Sequence, residues 1–174
     1  MMFSDKQLKQ LIIPLLVEQI LAVTVGLADS VMIAGVGEAA VSGVSLVDTV
    51  MVLLINVFSA LATGGAVVSG QYLGQKHSAD ASKAADQLVL FTGALSLVIT
   101  VLVYGGQNLI LDGVFGKIEA DVMKNARIYL VIVTASIPFL ALYNAGAALF
   151  RAMGNSQISM KTSLLMNAIN ICGN

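Results

Sequence analysis

An all-α integral membrane protein, a multi-helix transmembrane bundle, is the fold class that two features of the sequence predict. The first is composition. Hydrophobic residues make up 57% of the chain and charged residues only 11%, with a mean hydropathy of +0.90. A soluble domain carries roughly 25% charged residues, so this chain cannot cover a globular surface. The second is the distribution of charge. No Asp, Glu, Lys or Arg occurs in 49–75, 87–111 or 128–150, runs of 27, 25 and 23 residues. About 20 residues of helix cross the hydrocarbon core of a bilayer, so each run predicts one transmembrane helix. Residues 10–35 make a fourth, interrupted by Glu18 and Asp29, and residues 162–174 begin a fifth.

Taken in order, Ser4 followed by Gln7 resembles a capping box and starts the first helix near Asp5. That helix is expected over about 5–34, a short loop over 35–40 and the second helix over about 41–71. A loop near 72–83 precedes the third helix at about 84–107, and a longer loop follows near 108–122. The fourth helix is expected over about 123–152, a turn over 153–158, and the fifth over about 159–174. Gly64-Gly65 and Gly70-x-x-x-Gly74 suit close helix contact, because small residues let backbones approach. With the N-terminus cytoplasmic, one side collects Lys6, Lys9, Lys76, Lys83, Arg151 and Lys161, and the other Lys117, Lys124 and Arg127. Six against three favours that orientation. A cleaved leader is the rival reading of the first 29 residues, but the apolar run is long and Glu18 interrupts it.

Several function classes drop out. The net charge of −1 says nothing about a nucleic-acid partner, but no basic patch interleaved with aromatics occurs, and no such partner is expected. The single cysteine, Cys172, cannot form an intrachain disulfide and reads as a small packing residue. The single histidine, His77, beside Lys76, reads as a solvated loop residue. One Cys and one His cannot build a zinc site of the usual ligand count. No phosphate loop ending in Lys-Ser or Lys-Thr occurs. No catalytic constellation or resident cofactor is expected, so the chain is not read as an enzyme.

The polar residues inside the apolar runs are the candidate functional groups. Glu18 and Asp29 are eleven residues apart, about three turns plus 20°, so they share a face about 16 Å apart along the axis. A carboxylate facing lipid is costly, so both belong in the bundle interior or a wet cavity. Each is either a protonated acid bonded to a neighbouring helix or a site for a proton, a cation or a cationic substrate. Pro14 lies inside the first helix, where it removes a backbone hydrogen bond; it is a static kink or a hinge. Asp48, near one end of the second helix, reads as interfacial and solvated. Asn56, mid-membrane, lines a cavity or clamps a neighbouring helix. Asn144 sits in an apolar run with Pro138 before it, and Tyr129 falls where an interfacial aromatic anchor is the ordinary explanation. Asn167, Asn170 and Asn174 crowd the fifth helix, and the 170–174 spacing puts two amides on one face. Amide oxygens can coordinate Na⁺ or hydrogen-bond a protonated acid.

PLLVEQILAVTVGLADSVMIAGVG at 14–37, TGGAVVSGQYLGQKHSADASKA at 63–84 and IPFLALYNAGAALFRAMGNSQISMK at 137–161 resemble the multidrug and toxic compound extrusion (MATE) transporters. The three segments span most of the chain in the family's order. The resemblance implies a two-lobe fold of six plus six helices, of which this chain supplies part of the N-terminal lobe; the C-terminal lobe of the same chain is then a missing partner. It also implies exchange of H⁺ or Na⁺ for organic cations and other drugs. By motif, Asp29 resembles the first-helix acid that binds the coupling ion, and Pro14 the proline where that helix bends. Tyr129, Asn144 and Asn170 match polar positions lining the lobe's cavity. Asn174 falls where some members carry a second acid, which favours Na⁺ at Asp29, Asn170 and Asn174, or one proton at Asp29.

The leading expectation is therefore a secondary active antiporter in the plasma membrane, exporting amphipathic or cationic compounds against Na⁺ or H⁺. Asp29, Asn170, Asn174 and Tyr129 are the expected cation-coupling residues. Glu18, Asn56, Asn144 and Asn167 are expected in the substrate cavity, and Pro14 at the hinge. The alternatives are a lipid-linked saccharide flippase of the same wider fold group and a non-transporting membrane assembly protein. An anionic lipid would favour a cavity rich in Lys or Arg, and the charge-free runs supply neither.

Overall fold

The structure is a computed structural model and describes residues 5–116 and 118–173. Six helices follow one another, with no strand among the described residues: α1 (Asp5–Ala34), α2 (Glu38–Gly74), α3 (Ser78–Gly105), α4 (Ala120–Thr134), α5 (Ile137–Ala152) and α6 (Ser156–Gly173). A π-helical turn, Leu109–Val114, lies between α3 and α4. The first three helices are long and apolar enough to cross a membrane. The expected capping residue Ser4 lies outside the described residues.

The single helix expected over about 123–152 is two. α4 and α5 meet at a bend of 49° across a break at 135–136. Pro138 explains where it falls. Its missing N–H would have bonded the carbonyl of Thr134, and its ring would clash there; α4 ends at Thr134 and Pro138 sits in the first turn of α5. The Ser136 hydroxyl donates to the Val133 carbonyl at 2.7 Å and satisfies part of the broken ladder. Together the two pieces are long and apolar enough to cross a membrane as one bent span.

The short turns also have local causes. α2 ends with Lys76 in the left-handed region (φ 64°) and the His77 N–H on the Tyr72 carbonyl at 2.9 Å. α5 ends with Gly154 (φ 78°) and the Asn155 N–H on the Phe150 carbonyl at 2.9 Å. Both are the reversal that closes a helix with a 6→1 bond. The GQK and RAMGNS stretches are thus stop signals.

α2 is the central helix and lies against α3, α4 and α5. Val47, Met51 and Phe58 of α2 pack with Val103 of α3, Leu130 of α4 and Ile137 of α5 in the main core. A smaller cluster joins Ala62 and Ala66 of α2, Leu88 of α3 and Ala145 and Ala148 of α5. α1 packs chiefly on α6, and neither helix contributes a side chain to these clusters. The buried side chains of α6 are those of Ser156, Ser159 and Ser163 among the described residues. Cys172 is exposed, which corrects its reading as a packing residue.

Of the small-residue pairs, Gly65 faces the Leu88 side chain and Gly70 approaches Ala152, whereas Gly64 and Gly74 face open space. The tightest approach of a glycine to the backbone of another helix is elsewhere. A Cβ on Gly43 would stand 2.8 Å from the Ala126 nitrogen and 2.9 Å from the Val122 oxygen. Backbone cannot yield as a side chain can, so Gly43→Leu is expected to destabilise the bundle by about 1–3 kcal/mol or more. Thermal unfolding in detergent checks this; an unchanged midpoint would mean that α2 and α4 are not in contact there.

Candidate functional site

Six of the sequence candidates, Asp29, Tyr129, Asn170, Glu18, Asn144 and Asn167, line two chambers beside α1. The first lies toward the α1–α2 connection. It comprises a cavity of about 380 Å³, lined by Asp29, Tyr129 and Asn170 among others, and a smaller one of about 210 Å³, lined by Asp29, Ser45, Asp48 and Tyr129. Asp29 and Tyr129 form a wall common to both. The Tyr129 hydroxyl donates to Asp48 Oδ1 at 3.0 Å, bridging α4 and α2. Tyr129 is therefore tied into the bundle and not simply an interfacial anchor. Asp48, which the sequence reading left solvated, is exposed yet holds that bond. No spacing rule flags such a pair, because the residues are 81 apart in the chain.

In a membrane bundle a side-chain hydrogen bond contributes on average about 0.6 kcal/mol. Tyr129→Phe and Asp48→Ala are accordingly expected to cost little stability each, with a coupling near that value in a double-mutant cycle. Additive effects would show that the bond does not persist in solution.

The second chamber, about 520 Å³, is bounded by α1, α2, α5 and α6. Glu18, Asn144 and Asn167 line it, as does Arg151. Glu18 is well partnered. Its Oε1 accepts the Tyr143 hydroxyl at 2.9 Å, its Oε2 accepts the Ser159 hydroxyl at 2.7 Å, and Arg151 Nη1 lies 3.6 Å from Oε1. The Arg151 Nη1 also donates to Ser159 Oγ at 3.3 Å. Side-chain exposure is 17% for Glu18 and 29% for Arg151. The network joins α1, α5 and α6. Arg151 was expected near the end of the fourth helix, among the charges of the cytoplasmic side; it lies in the last turn of α5 and reaches back into the bundle. That corrects the expectation that no basic side chain faces a cavity.

Asn144 Nδ2 donates to the Leu140 carbonyl at 2.9 Å, leaving its oxygen toward the chamber. Asn167 Nδ2 is buried and has no hydrogen-bond partner among the described residues. Asn56 is exposed on α2 and lines neither chamber. Asn174 lies outside the described residues. Pro14 is buried inside α1, which runs unbroken through it, and it borders a separate apolar hollow with Ile13 and Met160. His77 is exposed at the start of α3, 3.6 Å from Asp80. Among the described residues, no three His, Cys, Asp or Glu side chains gather as a metal site.

Membrane-length helices with carboxylates and amides gathered in chambers between them define the class of membrane transport proteins, whose ligand sites lie between helices. The chain belongs to the MatE family of transporters: the family's profile matches residues 14–174. It is 28% identical over 161 residues to the uncharacterized transporter YisQ of Bacillus subtilis, covering 92% of this chain and 35% of that protein. It is 25% identical over 169 residues to the probable multidrug resistance protein NorM of Thermotoga maritima, covering 95% of this chain and 35% of that one. In fold it is similar to a MOP-superfamily transporter from Pyrococcus furiosus, with a TM-score of 0.89 at 20% identity, over 96% of this chain and 36% of that structure. The chain thus spans about a third of the length of the relatives it matches. The family is one of transporters, not enzymes, and the chain is a multi-pass membrane protein.

Proposed function

We propose that this chain forms part of the N-terminal lobe of a secondary antiporter, exporting amphipathic drugs or organic cations in exchange for Na⁺ or H⁺. The observation that carries this reading is Asp29: a carboxylate of α1 in a wall shared by two cavities, beside Tyr129 and, in one of them, Asn170. Cation binding there neutralises Asp29 and changes which arrangement of α1 is favoured. A ligand shifts an equilibrium only by its differential affinity for the two states, and a carboxylate that is charged or neutral supplies one. Na⁺ would take the Asp29 carboxylate and the Asn170 amide oxygen, with Asn174 the further ligand that the sequence suggests. A proton would take Asp29 alone. Pro14, with its missing backbone bond, is the point about which α1 bends. The second chamber holds the cargo, with Asn144 and Asn167 as its hydrogen-bonding groups. The proposed membrane is the plasma membrane, with a cytoplasmic N-terminus that the distribution of Lys and Arg supports.

Ethidium efflux tests the reading. The natural full-length protein is expressed in cells lacking their own pumps, and the H⁺ and Na⁺ gradients are collapsed separately. Efflux that stops with one gradient supports antiport and names the ion. Efflux indifferent to both, or none with any dye, overturns it.

A further inference from the structure

We infer that Asp48 is a positioning residue of the Asp29 site: by holding the Tyr129 hydroxyl proton, it turns the phenolic oxygen into a ligand for Na⁺. The inference rests on the proposed cation site at Asp29 and narrows its ion. A phenol has one O–H to donate and can also accept, whereas an ionised carboxylate only accepts. The bond of 3.0 Å between Tyr129 and Asp48 Oδ1 therefore runs one way, from the hydroxyl to the carboxylate. With its single proton on Asp48, the Tyr129 oxygen presents only lone pairs to the two cavities whose wall it shares with Asp29. Ser30 repeats the arrangement in the smaller cavity. Its hydroxyl donates to the Gly26 carbonyl at 2.8 Å, one turn back in α1, so its oxygen too is left as an acceptor. Among the described residues that line the two cavities, none is Lys, Arg or His. The walls around Asp29 are thus rich in oxygens whose protons are committed elsewhere. A proton needs one such oxygen; a hard cation such as Na⁺ needs several. Asp48 has a second effect. Without its carboxylate, the Tyr129 hydroxyl would turn to the other carboxylate of that wall, Asp29, and compete there with the ion. Tyr129 is half-buried and held in α4, so a rotation of the O–H suffices to redirect it.

The test is equilibrium binding of radiolabelled Na⁺ to the natural full-length protein in lipid nanodiscs, at neutral pH with no gradient imposed. Asp48→Ala is expected to weaken Na⁺ by about tenfold, the fold-change for one contact to a charged group. Asp48→Asn loses the charge but keeps an acceptor oxygen, and should lie nearer to the wild type than to Asp48→Ala. Tyr129→Phe is expected to weaken Na⁺ about as much as Asp48→Ala, and the double variant no further, because each single change already removes the same ligand. A merely structural bond would move the unfolding midpoint and leave Na⁺ affinity unchanged. The inference is overturned by a wild type that binds no Na⁺, by an affinity unmoved in Asp48→Ala, by Asp48→Asn as weak as Asp48→Ala, or by losses that add in the double variant. Failure of the antiport reading looks different: Na⁺ would bind in the expected pattern while no gradient drove any dye. Efflux driven by H⁺ alone, with no Na⁺ bound, would instead keep antiport and remove this inference.

Discussion

Asp29→Asn is expected to reduce gradient-driven efflux by on the order of a hundredfold, to the level of cells without the protein. The estimate follows from coupling energetics. Coupling free energies between two sites are typically about 1–3 kcal/mol, or 5- to 150-fold in affinity. An amide at position 29 keeps the size of the side chain and much of its hydrogen bonding, but it can neither release a proton nor carry charge for Na⁺. The differential affinity that tilts the equilibrium then vanishes, and a ligand without such a difference shifts nothing however tightly it binds. Because the change is nearly isosteric and the first chamber is partly open, membrane insertion and thermal stability should stay close to wild type. That separation identifies a coupling residue. Loss of both stability and efflux would point to a structural acid, and full efflux would remove Asp29 from the mechanism. Asp29→Glu should keep some coupled efflux, because the charge remains while its position shifts by one methylene.

Arg151→Leu is expected to destabilise the bundle by about 3 kcal/mol. Removing one partner of a buried ion pair leaves the other uncompensated, at about 3–5 kcal/mol; the residual exposure of Glu18, 17%, and its two hydroxyl donors place the effect at the low end. The double variant Glu18→Leu with Arg151→Leu should recover most of the loss. Replacing a whole buried pair by apolar groups of similar volume is often neutral or stabilising. Thermal unfolding in detergent of the two single variants and the double variant checks this. If the two single losses simply add in the double variant, the 3.6 Å contact carries no interaction energy.

The legibility of this chain in its sequence divides by range. Spans were legible because bilayer thickness sets a length and lipid excludes charge, both properties of a continuous stretch. Asp29 and Glu18 stood out for the same reason. What escaped depends on two distant stretches meeting. Arg151 follows a charge-free run, so a one-dimensional reading leaves it among the charges at the membrane edge; only the crossing of α1, α5 and α6 shows that it reaches Glu18. Asp48 looked solvated for the same cause, since its partner Tyr129 lies on another helix. Pro138 was visible, but the break it causes was not read from it. That required following its missing N–H back to the Thr134 carbonyl, where α4 stops. Gly43 lies in no paired-glycine pattern, yet among the glycines it makes the closest approach to the backbone of another helix.

The serine face of α6 has a mechanical consequence. Interlocked methyl and ring groups, such as Phe58 and Leu130 in the main core, resist sliding, since a displaced knob must climb out of its socket and leave a void behind. Hydroxyls behave otherwise. A serine can pass its proton donation from one oxygen to the next over a small step, with little volume change and no void opened. With Ser156, Ser159 and Ser163 as its buried side chains among the described residues, and with Glu18 and Arg151 at its flank, the α1–α6 pair rests on the other four helices as on a lubricated bearing. The stiff part of the molecule is the slab built around α2; the compliant part carries Asp29, Asn167 and Asn170.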